Sequence, residues 1–162
     1  MLLYHGTNIR FEAPKIIIPN RALDFGAGFY TTSDKKQAGD WANVVVKRAN
    51  TGNALLNIYE LKEDYRQKLN VRKFETANKE WLDFVCEHRL ETYKGDNYDL
   101  IIGAVANDKT MPVLQGYMNA KNKDLYAPVA LSEIQADKLT DQYVFKNDLA
   151  LSFLYLQEIM EL

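Results

Sequence analysis

Three separated stretches of this 162-residue chain carry side chains that could hold and react with a ligand. They are Tyr4-His5-Gly6-Thr7, the run from Asp24 to Thr32, and Gln142 near the end. In the second stretch, Gly26 and Gly28 permit backbone conformations that a Cβ forbids, or let a ligand lie against the chain. The aromatic residues after them can stack on a flat ring. Taken alone, this stretch fits a glycine bend before a core strand better than a ring-binding site, so the site needs support from elsewhere.

The isolated polar residues carry weaker signals. His5 ends the first predicted strand directly before Gly6, where its imidazole and the glycine backbone can face the same ligand. A lone histidine in such a place is more often a packed or solvent-facing residue. Asn107 and Asp108 follow a continuous apolar run, and such a polar tip is either part of a site or simply a turn. The residues themselves leave these alternatives open.

Composition limits the classes of protein to which the chain can belong. Its length predicts one domain over residues 1–162, and its 47% hydrophobic content is ordinary for a globular protein. The net charge of −2 gives no basic field for nucleic acid or an anionic membrane. Cys86 is the single cysteine and His5 and His88 are the two histidines, so neither a disulfide nor a metal site is expected. No charged leader or long apolar run is visible, which favours the cytoplasm, although export by another route would leave the same sequence.

The elements that must position these residues alternate between short strands and helices. Alternating or β-rich segments predict strands at residues 2–5, 29–32, 54–61, 71–74, 98–105 and 140–145. Capping residues and apolar spacings of three and four predict helices at residues 35–50, 77–92, 110–120, 132–139 and from 147 or 148 to 162. The sequence therefore predicts an α+β fold with a mixed or antiparallel sheet at its centre.

Taken in order, the three stretches resemble the ADP-ribosyltransferase superfamily, in the branch that contains diphtheria toxin and the poly(ADP-ribose) polymerases. That branch has a Leu-aromatic-His-Gly-Thr/Ser motif on its first strand, a Gly-x-Gly-Ile-Tyr-Phe-like motif, and a later glutamate that completes a His-Tyr-Glu triad. By this resemblance, the expected catalytic set here is His5, Tyr30 and Gln142. The resemblance also implies a split mixed or antiparallel sheet flanked by helices, with NAD+ as co-substrate and no metal.

The whole chain also resembles a small bacterial family of unknown-function proteins placed in that superfamily. The shared landmarks are Leu3-Tyr4-His5-Gly6, Asp24-Phe25-Gly26-x-Gly28-Phe29-Tyr30-x-Thr32, Trp41-Ala42, Trp81-x-x-Phe84, Tyr98-Asp99, Ile102-Gly103, Ala106-Asn107-Asp108 and Asp141-Gln142. Each landmark is weak alone, and their common order over nearly the full length carries the resemblance. In that family, Gln142 would be the ordinary residue at its position.

The resemblance implies a role for each matching residue. His5 would bond the adenosine ribose of NAD+, and the Gly6 backbone would hold the nicotinamide carboxamide. Tyr30 would form one wall of the nicotinamide slot, and Trp41, eleven residues later, the second. The other residues expected to bind NAD+ are Thr7, Arg21, Asp24, Phe25, Gly28, Phe29 and Thr32, with Arg21 or Arg10 at the pyrophosphate. Those expected on the acceptor side are Asn107 and Asp108.

Two positions depart from the pattern of the superfamily. Ala38 stands where a serine bonds the carboxamide, so that contact is either absent or made by Thr32. Gln142 stands where the glutamate is. Poly(ADP-ribose) elongation needs that carboxylate and is not expected, whereas transfer of a single unit is. Either the neutral amide dipole suffices, or an acid such as Asp141 or Asp108 supplies the missing charge.

The activity that the resemblance implies is NAD+-dependent mono-ADP-ribosylation. The enzyme would cleave the nicotinamide–ribose bond and transfer ADP-ribose to a macromolecular acceptor. The acidic pI of about 5.7 slightly favours a protein acceptor over nucleic acid. A bacterial toxin or defence effector, with a neutralising antitoxin as partner and no membrane partner, would fit this activity. Two alternatives stay open: a catalytically silent NAD- or partner-binding module, which Gln142 favours, and an NAD glycohydrolase.

Overall fold

The computed structural model describes residues 1–107, 109–136 and 139–162. The strands in these ranges are β1 (Leu2–Thr7), β2 (Phe29–Thr31), β3 (Leu55–Leu61), β4 (Val71–Lys73), β5 (Leu100–Ala104), β6 (Asp141–Phe145) and β7 (Leu154–Glu161). The helices are α1 (Lys35–Ala49), α2 (Tyr65–Lys68), α3 (Lys79–Arg89), α4 (Met111–Asn119), α5 (Lys123–Ala136) and α6 (Asp148–Leu151). The predicted α+β class is confirmed.

The strands form two sheets that meet at one isolated bridge. The first sheet has the order β1-β3-β7 and is antiparallel throughout. The second has the order β2-β6-β5-β4, and only its β4–β5 pair is parallel. Tyr4 and Thr32 join the sheets by exchanging backbone hydrogen bonds of 2.8 and 3.0 Å. Past this bridge β1 and β2 are not paired in the described residues, and we call the space between Gly6 and Tyr30 the β1–β2 gap.

Apolar side chains fill the molecule on both sides of the second sheet. One cluster lies between the sheets and includes Leu3, Tyr59, Phe29, Leu100 and Phe145. The other joins the opposite face of the second sheet to α3, α4 and α5, and includes Ile101, Val144, Trp81, Leu114 and Ile134. A third packs α1 on the outer face of the first sheet through Ala38, Leu56 and Ile58. The layers therefore run from α1 through the two sheets to α3, α4 and α5.

Helix α1 begins at a capped first turn and packs closely on β1 through small residues. The Asp34 side chain accepts from the Gln37 N–H at 3.0 Å, which satisfies one free donor of the first turn. A Cβ on Gly6 would come within 2.0 Å of the Ala38 carbonyl oxygen and 2.9 Å of the Ala42 nitrogen. Glycine at position 6 is therefore what allows the helix backbone to lie directly on the strand.

Two of the predicted helices are wrong in type or extent. The segment expected to be helical up to Leu162 forms only the short α6, and then β7 pairs with β3 from Leu154 to Glu161. Its Leu, Glu, Gln and Met residues favour a helix, but the open edge of β3 offers backbone partners, and tertiary pairing overrides local propensity. Helix α5 begins at Lys123, nine residues before the predicted start at Ser132. Residues 137 and 138 lie outside the described residues.

Candidate functional site

The backbone of Gly6 faces β2 across the β1–β2 gap. Both backbone groups of Tyr4 bond to Thr32, so they point towards β2 rather than β3. Along a strand the backbone groups of alternate residues point to the same edge, so the N–H and C=O of Gly6 also point towards β2. Among the described residues, no bond from β2 or α1 reaches them. Gly6 therefore offers one donor and one acceptor to a ligand in the gap.

The His5 side chain, also on β1, reaches across to β2. Its Nδ1 is 2.7 Å from the carbonyl oxygen of Tyr30, and its ring stacks on Phe29 with centroids 4.5 Å apart. A carbonyl can only accept, so Nδ1 carries the hydrogen and Nε2 is left as an acceptor. Burial lowers the pKa of His5 and outweighs the opposite effect of the bond to Tyr30. A neutral imidazole with an accepting nitrogen suits a ribose hydroxyl.

The hydroxyl of Tyr30 holds the glycine-rich loop in place. It donates to the Gly26 carbonyl at 2.7 Å and accepts from the Phe25 N–H at 3.2 Å. Burial raises the pKa of the phenol, so the group stays neutral at ordinary pH. A Cβ on Gly28 would lie 2.6 Å from Val144, so this glycine lets the loop cross close to β6. The Tyr30 ring is thereby fixed at the edge of the gap.

Asp24 and Gln142 form a buried polar network beside Tyr30. Asp24 is 5% exposed and Gln142 is 4% exposed. One oxygen of Asp24 accepts from the guanidinium of Arg89, with the Nε contact at 2.8 Å. Its other oxygen accepts from the Ala106 N–H at 2.9 Å and from Gln142 Nε2 at 3.1 Å. The remaining amide hydrogen of Gln142 is donated to the Ala104 carbonyl at 2.9 Å. No sequence pattern indicates Arg89, because its partner Asp24 lies 65 residues away.

Strand pairing places the key side chains of the second sheet on one face. Tyr30 is directly opposite Val144 in the β2–β6 pair, so their side chains share a face. Gln142 is two residues before Val144, so its side chain follows on that face. The structure therefore places the side chains of Tyr30 and Gln142 on one face of the second sheet.

Asp141, the acid adjacent to Gln142, is held by the residues that lead into α1. Its carboxylate accepts from the Ser33 N–H at 2.8 Å, from the Ser33 hydroxyl, and from the Thr32 hydroxyl at 3.0 Å. The Thr32 hydroxyl oxygen also lies 3.1 Å from Gln37 Oε1 and accepts from the Asp34 N–H at 3.0 Å. Thr32 would have to exchange one of these partners to bond a carboxamide.

Trp41 stands on the face of α1 that is nearest to β2. It lies one turn after Gln37, which contacts Thr32, so both side chains share that face. The ring is 41% exposed, and the guanidinium groups of Arg48 and Arg21 lie 5.2 and 5.7 Å from its centre. These are cation–π distances. Arg48 was not predicted, although its place two turns after Trp41 is visible in the helical spacing.

Comparison with known families places the chain. The family model described as "Protein of unknown function (DUF3990)" matches residues 1–156. The chain belongs to this family. No curated protein and no solved structure matches the chain. The description of the DUF3990 family names no activity.

The other predicted residues of this DUF3990 chain lie around the gap rather than in it. Phe25 and Phe29 are almost fully buried and support the loop and the His5 ring. The Thr7 hydroxyl accepts from the Ile9 N–H at 3.2 Å and closes the turn after β1. The Asn107 side chain accepts from the N–H groups of residues 109 and 110, both at 3.0 Å, and so caps the turn before α4. Asp108 lies outside the described residues.

In the described part of this DUF3990 chain, none of the helices is long and apolar enough to cross a membrane. In the same ranges, no group of three or more histidine, cysteine, aspartate or glutamate side chains is arranged to hold a metal ion.

Proposed function

We propose that this DUF3990 protein is an NAD+-dependent mono-ADP-ribosyltransferase. It would cleave the nicotinamide–ribose bond and transfer ADP-ribose to a macromolecular acceptor. The observation that carries the proposal is the backbone of Gly6, whose N–H and C=O face the β1–β2 gap opposite Tyr30. A carboxamide presents one acceptor oxygen and N–H donors, so it can form a two-point contact with these groups. Nicotinamide carries such a carboxamide on a flat ring.

The side chains around the gap suit the other parts of NAD+. Tyr30 and the exposed ring of Trp41 are the two aromatic walls. His5 Nε2 is an acceptor for a ribose hydroxyl. Arg21 and Arg48 have no acidic partner in the described ranges, and guanidinium groups match phosphate geometry. Arg21 now lies over Trp41, so a stacked nicotinamide would displace it and free it for the pyrophosphate.

The chemical step requires positioning more than acid catalysis. Nicotinamide leaves as a neutral molecule from a cationic pyridinium, while the ribose becomes oxocarbenium-like, as in glycoside hydrolysis. The gap residues would hold NAD+ bent and orient the acceptor nucleophile, which is worth several kcal/mol. Gln142 offers an amide dipole in place of a carboxylate, which supports transfer of one unit rather than chain growth. The roles of toxin or defence effector and of an antitoxin partner are supported by the resemblance alone.

A silent NAD-binding module is the second candidate, and Gln142 is the observation that favours it. Both of its amide hydrogens are engaged, and the nearby carboxylate of Asp24 is already bonded to Arg89. The negative charge of Asp24, which could stabilise an oxocarbenium ion, is therefore paired with Arg89 instead of facing the gap. Such a module would bind NAD+ without turning it over.

Incubation with adenylate-labelled NAD+ and a whole-cell lysate tests these candidates, with protease and nuclease treatment in parallel. We expect label on a macromolecule, and loss of at least about tenfold of that label in Trp41→Ala because one stacking wall is removed. Tyr155→Ala is the matched control, since Tyr155 is 50% exposed on β7 and should leave transfer unchanged. Free ADP-ribose alone would identify a glycohydrolase. Binding without turnover would identify the silent module, and absence of NAD+ binding would refute every NAD-based candidate.

A further inference from the structure

We infer that Asp24 is a positioning residue for Gln142. It fixes the amide so that Oε1 is turned away from Asp24 and Ala104, and it is the reason that position 142 carries an amide instead of a carboxylate. The inference deepens the proposed function and rests on it only for the ligand, since the Asp24–Gln142 contact is a property of the fold. Asp24 itself would touch no substrate.

The hydrogen bonds of Gln142 leave one orientation of its amide. Nε2 contacts the Ala104 carbonyl at 2.9 Å and an Asp24 carboxylate oxygen at 3.1 Å. Both partners can only accept, so the NH2 group must face them, and exchanging N and O would set oxygen against oxygen twice. Oε1 therefore points away from Asp24 and Ala104.

The oxygen of Gln142 is not sealed inside the protein. In the described ranges, the one buried side-chain nitrogen or oxygen without a hydrogen-bond partner is Oδ1 of Asn57. Gln142 Oε1 has no partner within the described residues either, so it must reach the surface despite the 4% exposure of the residue. Because the side chain shares a face of the second sheet with Tyr30, Oε1 reaches the surface on the face that carries the Tyr30 ring at the edge of the β1–β2 gap. Oε1 is placed to accept from the ribose 2′-hydroxyl.

Asp24 also makes a glutamate unfavourable at this position. Its two oxygens already accept from Arg89, Ala106 and Gln142, and each donor is an N–H group. A glutamate at 142 would replace the donor at 3.1 Å by a second carboxylate. Two carboxylates at such a separation do not both ionise readily, and one of them takes up a proton. With an amide, by contrast, the contact polarises the group and strengthens Oε1 as an acceptor.

The first experiment follows the unfolding equilibrium with pH in Gln142→Glu. In the described ranges, the charged or titratable groups around this site are Asp24, Arg89, Asp141, Tyr30 and Cys86. If the two carboxylates share a proton, the folded state holds a proton that the unfolded state releases above about pH 4.3. The unfolding constant of Gln142→Glu should therefore rise with pH, by up to about tenfold per unit relative to wild type, until the raised folded-state pKa is passed. Adding Asp24→Asn should remove this slope, because an asparagine can donate to the glutamate.

The matched control for the slope is Asp141→Asn in the Gln142→Glu background. Asp141 is the adjacent acid, but it bonds to Ser33 and Thr32 and not to the amide of Gln142. The slope should persist in this variant. A Gln142→Glu protein with the pH profile of wild type would overturn the inference, and this result does not depend on whether the Asp24 variants fold.

The second experiment separates this inference from the proposed function. In a transfer assay with NAD+, Asp24→Asn should lower kcat at least tenfold with little change in KM. Without the carboxylate of Asp24, the amide of Gln142 can turn so that its NH2 group, instead of Oε1, faces the ligand. The Asp24→Asn, Gln142→Glu pair should recover activity relative to Asp24→Asn alone. A purely structural role for Asp24 would give no such rescue, and its absence in a folded pair would contradict the inference. If wild type neither binds nor cleaves NAD+ while the pH slope appears, the proposed function fails and the orientation by Asp24 stands.

Discussion

The two sides of the β1–β2 gap differ in the groups that they offer: backbone groups on one side and polar side chains on the other. On the β1 side, small residues bring α1 onto the strand, and the groups offered to a ligand are the backbone atoms of Gly6. We call the other side the β6 side, because β2 pairs there with β6. Its groups are buried polar side chains, in which Asp24 bonds to both Arg89 and Gln142. Backbone groups keep their direction whatever the neighbouring side chains are, whereas a side-chain network changes with each of its members.

This difference matches the way in which the two sides depart from the pattern of the superfamily. On the β1 side, His5 and Gly6 match the motif on which the resemblance depends, and Ala38 is the one departure there. On the β6 side, Gln142 stands where the resemblance predicts a glutamate, and its amide bonds to the buried Asp24. Binding of NAD+ would depend on the first side and the reaction on the second, so variants of each side should fail differently.

Breaking the buried ion pair of the β6 side should have the largest effect. Arg89→Ala would leave Asp24 as an unpaired buried carboxylate, and such changes reduce the free energy of unfolding by about 3–5 kcal/mol. Chemical denaturation measures this loss. The control is Lys36→Ala, whose ion pair with Asp40 has side chains 84% and 65% exposed and whose removal should leave the free energy of unfolding nearly unchanged. Equal losses in the two variants would show that the network is not a stabilising centre.

Closing the space at Gly6 should have the next largest effect. In Gly6→Ala the new Cβ would lie 2.0 Å from the Ala38 carbonyl, so α1 must move away from β1. We expect a loss of about 3 kcal/mol in the free energy of unfolding, at the upper end for overpacking. Gly39→Ala is the matched control on the same helix: its Cβ would meet only Leu162 at 3.4 Å, and it should stabilise the helix by up to about 1 kcal/mol. A stable Gly6→Ala would mean that the strand and helix can separate freely.

Local signals predicted the β1 side well and the β6 side poorly. The cap at Asp34 and the small residues Ala38 and Ala42 were enough to place α1 within one residue of its observed end. By contrast, Asp24 meets Arg89 across 65 residues and Gln142 across 118, and nothing in the sequence pairs them. The alternation of β6 indicates which face Gln142 occupies, but the partner on that face comes from a loop.

The end of the chain shows the same limit. The segment of β7 has the composition of a helix, and its structure is decided by the free edge of β3, which is distant in sequence. A pattern read over ten residues reports local preference, and a strand at the edge of a sheet is stabilised by bonds to another segment. The fold class survives such an error because the remaining strands and helices are set locally.

Removing a cation beside Trp41 should sharpen the comparison on the binding side. Arg48→Ala should weaken NAD+ binding by about tenfold or more if the guanidinium meets the pyrophosphate, because hydrogen bonds to charged groups are worth about 1.5–3 kcal/mol. Binding of nicotinamide alone should be unchanged. Lys47→Ala removes the same charge from the neighbouring exposed position and serves as the control. Equal weakening of NAD+ and nicotinamide would place Arg48 at the ring instead of at the phosphates.

The smallest expected effect is a pH dependence that arises from His5. Its pKa is lowered by burial, so between pH 6.5 and the lower folded-state value the unfolded chain binds more protons than the folded one. Stability is therefore lost as the pH falls through this window, by at most about 1.4 kcal/mol per pH unit for one histidine. NAD+ affinity should fall over the lower part of the same range, because protonated Nε2 no longer accepts from a ribose hydroxyl. His88 also has its pKa lowered by burial, so His88→Gln should remove its share of the stability change and leave the pH profile of NAD+ binding intact. In His5→Gln the binding profile should become flat, and a profile that still falls would assign the effect to a group outside the β1 side.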